Sequence, residues 1–205
     1  MQLISDKYKN FIIRRLAEIS GLVFFGLAIL IFGTLISYSP LDPSLNNITD
    51  QDAHNIFGNV GASVADLLIQ IFGSLSYVLL LYLLAWSYRL IIFKKLPYFI
   101  VNLFSGFVSL LFLNLFFLIY EINIYNSFIS LEIFINFLEP LSIRDNLHIE
   151  ILSIIIITVL SLIFFILACA LDVNDWKKIF FSIWLCCKLI IGNILKLVES
   201  ILNKK

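Results

Sequence analysis

The sequence predicts an all-α membrane protein: a four-transmembrane-helix bundle with both termini cytoplasmic, followed by a C-terminal amphipathic helix. Three observations carry this. The 205 residues are 61% hydrophobic and 14% charged, against about 45–50% and about 25% in soluble domains. Mean hydropathy is +1.02, so lipid rather than a protein core must cover much of the apolar surface. The basic residues also gather on one side of a set of long uncharged runs.

The first run, 19–38, carries no charge, and Pro40 beyond it cannot continue a helix. It is too long for a signal-peptide core and no small-x-small cleavage site follows, so it reads as retained. The second, 67–91, is entered through Asp66 and left through Arg89. The third, 99–120, is uncharged, with Asn102 and Asn114 as its polar members, and the fourth, 151–171, is the most apolar. Each approaches the roughly 20 residues that a helix needs to cross a bilayer core. None places a charge at mid-membrane, where insertion costs about 2.5–3.5 kcal/mol. Residues 1–172 thus form the transmembrane domain, with outer loops at 39–63 and 122–148.

Orientation follows from Lys and Arg. Of the fourteen, only Arg144 lies in an outer loop; the other thirteen precede the first run, separate the second from the third, or follow the fourth. The positive-inside rule makes that side cytoplasmic. The turn between the second and third runs is tight, which makes those spans antiparallel neighbours. The first outer loop carries turn signals at Pro40, Pro43, Gly58 and Gly61, whereas the second mixes Phe and Ile with carboxylates and reads as a helix on the outer leaflet. Residues 173–205 form a basic tail. Within it, Lys188, Gly192, Lys196, Glu199 and Asn203 share a face opposite Ile190, Ile194, Leu197 and Ile201. A helix on the anionic cytoplasmic leaflet is the favoured reading, and a short fifth membrane segment its rival.

Nothing in the sequence carries enzyme chemistry. There is no GxxxxGK[ST], no GxGxxG after a strand and no HExxH. Cys169, Cys186 and Cys187 include no CxxC and read as reduced thiols; His54 and His148 sit in different outer loops. No catalytic residue, cofactor or metal is expected. Asp66 and Gln70, one turn apart at the outer mouth of the second span, are the nearest approach to an intramembrane polar path, although Asp66 reads first as an acid favouring a helix N-terminus. Gly26 with Gly33, and Gly61 with Ala65, are small-residue pairs that permit close helix approach.

The order of residues adds a resemblance. RRLAEISGL from Arg14 to Leu22 opens the first span, and SYSPLDPS from Ser37 to Ser44 closes it. NIFGNVGASVADLLIQIFG from Asn55 to Gly73 leads into the second, which closes on LLAWSYRL, Leu83 to Leu90. Together these strongly resemble the N-terminal four-helix membrane domain of the FtsK/SpoIIIE DNA translocases, specifically from about Arg14 to Leu90 and only topologically beyond. Leu45 stands where that family commonly has Trp, the second outer loop lacks the expected glycine-rich stretch, and no Walker motif or DNA-reading winged helix occurs within residues 1–205.

The resemblance implies an anchor and interaction module of the bacterial inner membrane, acting at the division septum in cell division and chromosome segregation. It brings no ATPase motor and no direct nucleic-acid binding. The implied partners are the lipid bilayer, other divisome membrane proteins, a second copy of the chain, and a separate translocase motor in trans. Asp42, Pro43, Asn55, Gly58, Gly61, Asp66 and Gln70 are the candidate interaction or structural residues. A small transporter or channel subunit, its path built from Asp66, Gln70, Asn102 and Asn114, is the alternative, and a truncated remnant is another.

Overall fold

The structure is a computed structural model that describes residues 6–49, 51–119 and 147–202, with side chains described over 7–49, 51–117 and 151–192. The described residues are helical, with no strand among them. The helices are α1 (Asp6–Ile36), α2 (Gly58–Phe72), α3 (Ser76–Phe93), α4 (Phe99–Ile119), α5 (Leu147–Cys169) and α6 (Val173–Leu202). Four stretches are long and apolar enough to cross a membrane: Lys7–Ile36, Gly58–Phe93, Phe99–Phe117 and Ile151–Cys169. The chain divides into two compact units, Met1–Ala170 and Leu171–Lys205. The loop read as an outer-leaflet helix at 122–148 lies largely outside the described residues.

The second apolar run is not one helix. Gly73, at φ 58°, ends α2, and a single 3-10 turn (Gly73–Leu75) reorients the chain into α3. Ser76 seals the break: its hydroxyl lies 2.8 Å from the carbonyl oxygens of both Leu68 and Gly73, sharing its one proton between them, and its backbone N–H also bonds the Gly73 carbonyl.

The bundle is built from two helix pairs, α1 along α3 and α4 along α5. Hydrogen bonds fix the first register. Tyr77 donates to the Leu35 carbonyl at 3.0 Å at the outer end, and Ser87 to the Gly21 carbonyl at 2.8 Å at the inner end. Gly21 lies so close to Leu90 and Ile91 that a Cβ there would fall 2.7 Å from Ile91 Cγ1. At the inner surface Glu18 pairs with Lys94 at 2.8 Å and Arg15 at 2.6 Å, tying α1 to the turn after α3.

Polar side chains join the helices in the interior, both within and between the pairs, as expected where lipid supplies no hydrophobic drive between helices. Tyr82 donates to Ser109 at 3.0 Å, Ser109 to the Ser161 carbonyl at 3.3 Å, and the Trp86 indole to the Ala168 carbonyl at 2.6 Å. Phe24 and Phe99 meet the Trp86 ring edge-on, at centroid distances of 5.7 and 5.4 Å. The inner turns use non-glycine residues at positive φ: Lys94 and Tyr98 between α3 and α4, and Ala170 after α5. In the separate C-terminal unit, α6 exposes Lys177, Lys178 and Lys188 together with Phe180, Ile183, Trp184 and Ile191.

Candidate functional site

Helix α1 ends four residues before Pro40, leaving carbonyls at its outer end without helical partners. The following loop supplies them. Asn55, 4% exposed, donates its side-chain amide to the Thr34 carbonyl at 2.8 Å and the Ser37 carbonyl at 3.4 Å. Its Oδ1 accepts the Phe57 N–H at 3.1 Å, and its own carbonyl accepts the Gly58 N–H at 2.8 Å. One side chain therefore closes the end of α1 and starts the turn into α2.

Asn55 is held in turn by Asp42, a carboxylate 3% exposed. Asp42 Oδ2 accepts the Asn55 N–H at 3.0 Å; Oδ1 accepts the His54 N–H at 2.9 Å and lies 3.0 Å from His54 Nδ1. Burial by itself pushes the Asp42 carboxyl up, but the His54 and Asn55 contacts outweigh it and hold the group below its usual 3.8. Pro43, half-buried, fixes the next φ. Asn47 then ties the loop back by donating to the carbonyls of Pro40 (3.3 Å) and Asp42 (3.1 Å), while its carbonyl accepts the Ser44 N–H at 2.9 Å.

The glycines complete the knot. A Cβ on Gly61 would sit 2.1 Å from Asn55 Oδ1 and 2.7 Å from Phe57 Cβ, so only hydrogen fits there. Gly58, at φ 62°, takes the left-handed turn that opens α2. Asp42, Pro43, Asn55, Gly58 and Gly61 thus converge on one structure at the outer end of α1.

Asp66 and Gln70 form a second group beside it. Gln70 donates to Asp66 Oδ2 at 2.7 Å and accepts from the Asn46 amide at 2.7 Å, while the Tyr38 hydroxyl reaches Asp66 Oδ1 at 3.5 Å. This corrects the reading of Asp66 as an acid at a helix N-terminus: α2 begins at Gly58, and Asp66 lies on its third turn, latching the loop to the helix. Asn102 sits at the other end of the bundle, donating to the Pro97 carbonyl at 2.7 Å, and Asn114 donates to the Leu110 carbonyl of its own helix at 3.1 Å. Asp66, Gln70, Asn102 and Asn114 therefore do not gather at one place. Among the described residues no group of three or more His, Cys, Asp or Glu could hold a metal.

Sequence reasoning passed over Asn47, Thr34, Ser37 and Tyr77. Asn47 alone left a signal, an Asn within a Ser- and Pro-rich turn. The arrangement is a hydrogen-bonded platform without a nucleophile–base pair. What it presents is apolar: Leu41, Leu45 and Ile48 stand 69, 73 and 98% exposed on a loop whose backbone is fixed from beneath.

Comparison with known proteins matches this region. The family model describing the 4TM region of DNA translocase FtsK/SpoIIIE matches residues 13–133. A DNA translocase FtsK of Azospirillum brasilense is 36% identical over 93 residues, which are 44% of this chain and 15% of that protein. The FtsK of Rhizobium meliloti (strain 1021) is 35% identical over 82 residues, 40% of this chain and 9% of its own length. That of Rickettsia prowazekii (strain Madrid E) is 42% identical over 62 residues, 30% and 8%. The chain therefore covers a small fraction of the length of these relatives. No solved structure matches.

Proposed function

The chain belongs to the family of the 4TM region of FtsK/SpoIIIE DNA translocases, and from that premise we propose that it is the inner-membrane anchor and docking module of a translocase-type protein acting in cell division and chromosome segregation. The observation that carries this reading is the outer loop. Asp42 and Asn55 fix its backbone to the end of α1, so Leu41, Leu45 and Ile48 are presented on a pre-ordered surface. A surface already ordered before binding loses less freedom when a partner docks.

On this reading the helices provide attachment, the outer loop recognises other membrane proteins of the division machinery or a second copy of the chain, and α6 lays its lysines on the anionic cytoplasmic leaflet. ATP-driven DNA movement belongs to a motor outside residues 1–205, working with the module in cis or in trans. The absence of catalytic activity from the module itself is part of the proposal.

A C-terminal fluorescent fusion in dividing cells tests it. A mid-cell band that disperses in Leu45→Asp and Ile48→Asp variants, at unchanged protein level, is the expected result. Uniform membrane fluorescence in the unmodified chain would overturn the septal role.

A further inference from the structure

The second apolar stretch, Gly58–Phe93, is 36 residues long, which as one straight helix would measure ~54 Å at 1.5 Å per residue. A bilayer core is only about 30 Å thick. Helix α3 alone has 18 residues, or ~27 Å, and its contacts with α1 run from Tyr77–Leu35 at the outer end to Ser87–Gly21 at the inner end. Helix α3 alone thus comes close to the full crossing. Helix α2 packs chiefly around the outer end of α1, where Ala65 and Ile69 meet Leu35, with Ile31, Tyr38 and Leu68 alongside, and its last residue, Phe72, meets the Phe107 ring of α4 at a centroid distance of 6.1 Å.

Helical spacing gives α2 three separate faces. Gly61, Ala62, Ala65 and Ile69 form the buried one. Asn59, Ser63, Asp66 and Gln70 form a narrow polar stripe beside it. Val60, Val64, Leu67 and Ile71 form a third, on which Val60, Val64 and Leu67 are exposed and Ile71 is half-buried. A helix upright in lipid would submerge the polar stripe, whereas one lying obliquely at a surface would place core, water and lipid on three successive sides. Phe32 and Ile36, toward the outer end of α1, are exposed as well.

We propose that α2 is an interfacial helix of the outer leaflet. Val60, Val64, Leu67 and Ile71 rest among the acyl chains, the polar stripe faces water, and the second crossing begins at Ser76. Asp66 and Gln70 then stand outside the hydrocarbon, open to periplasmic groups rather than lining a path across the membrane.

Variants of the full chain, each with one introduced cysteine, test this with two probes. Impermeant maleimide is added from outside to intact cells with a permeabilised outer membrane. The native Cys186 and Cys187 are shielded on the cytoplasmic side, and Cys169 is buried. Bimane is attached at 64 or 67, in a Cys186→Ser, Cys187→Ser background, and read in nanodiscs holding lipids brominated at shallow or deep acyl positions. The expected result is at least tenfold faster labelling of Asn59→Cys and Ser63→Cys than of Val64→Cys and Leu67→Cys, with bimane quenched most by shallow bromine. Equal labelling of both faces would overturn the proposal, as would protection of both with quenching strongest for deep bromine. Unlabelled but unquenched 64 and 67 would also overturn it, since protein rather than lipid would then cover that face. Restricting the comparison to variants that elute as a single species with native-like melting removes misfolding as an explanation. None of these outcomes depends on septal location.

Discussion

The Asn55 side-chain amide reaches back twenty-one residues to the Thr34 carbonyl at 2.8 Å, and the Asp42 carboxylate holds the Asn55 backbone from the other side. Two residues of one loop thereby finish a transmembrane helix that sequence-local groups leave open.

Replacing either should loosen the whole outer cap. Asn55→Ala strands buried acceptors, and Asp42→Asn removes a charged acceptor of two backbone N–H groups. Each should cost about 1.5–3 kcal/mol, read as a lower unfolding midpoint in mild detergent. His54→Ala should cost under about 1 kcal/mol, because its ring is 71% exposed and its backbone N–H still reaches Asp42. Equal losses at 42 and 54 would show that the ring, not the backbone, is what Asp42 holds.

The same carboxylate sets a pH dependence. Its folded pKa lies below the ordinary 3.8, so its contribution is fully present above that value and is lost as pH falls through the folded pKa. Melting temperature should therefore show no Asp42-dependent change between pH 7 and 5. Below about pH 4 the unmodified chain should lose an increment of stability that Asp42→Asn does not. Parallel curves for the two proteins across that range would remove the carboxylate from the account.

Two glycines on paper alike should behave in opposite ways. Gly61→Ala pushes a methyl into Asn55 and Phe57 and should destabilise by about 1–3 kcal/mol while raising protease sensitivity of the outer loop. A Cβ on Gly26 meets nothing within 4 Å, so Gly26→Ala should be neutral or stabilising by up to about 1 kcal/mol. Limited proteolysis of both variants from the outer side separates them.

Inside the bundle, Trp86→Phe keeps the aromatic contacts with Phe24 and Phe99 but removes the indole donor to Ala168. The cost should be about 0.6 kcal/mol, the average for hydrogen bonds between membrane helices, and no more than about 1.7 kcal/mol. A double-mutant cycle with Ser109→Ala, whose hydroxyl bonds elsewhere, should show little coupling.

The spans and their orientation were legible because length, apolarity and basic charge are summed properties that no single contact can hide. The break at Gly73 was not, since a glycine inside an apolar run is compatible with a continuous helix until its φ is known. Asp42, Asn55, Gly58 and Gly61 could be picked out as candidates from turn chemistry and family order. Their partners could not: Asp42 meets Asn55 thirteen residues on, and Asn55 meets Thr34 across a loop with no periodicity to read. Asp66 was misplaced for a related reason, because the start of α2 depends on the Gly58 turn rather than on an acidic cap.

The pairing of α1 with α3 and of α4 with α5 also has a meaning for biosynthesis. Each pair goes out and returns, so both ends of each hairpin stay with the ribosome's side of the membrane. In the first, the translocated stretch between α1 and α2 carries Asp42, Asp50 and Asp52 with no Lys or Arg. The insertion machinery can thus seat the chain as two successive hairpins, the first able to close its own polar knot before α5 has been synthesised.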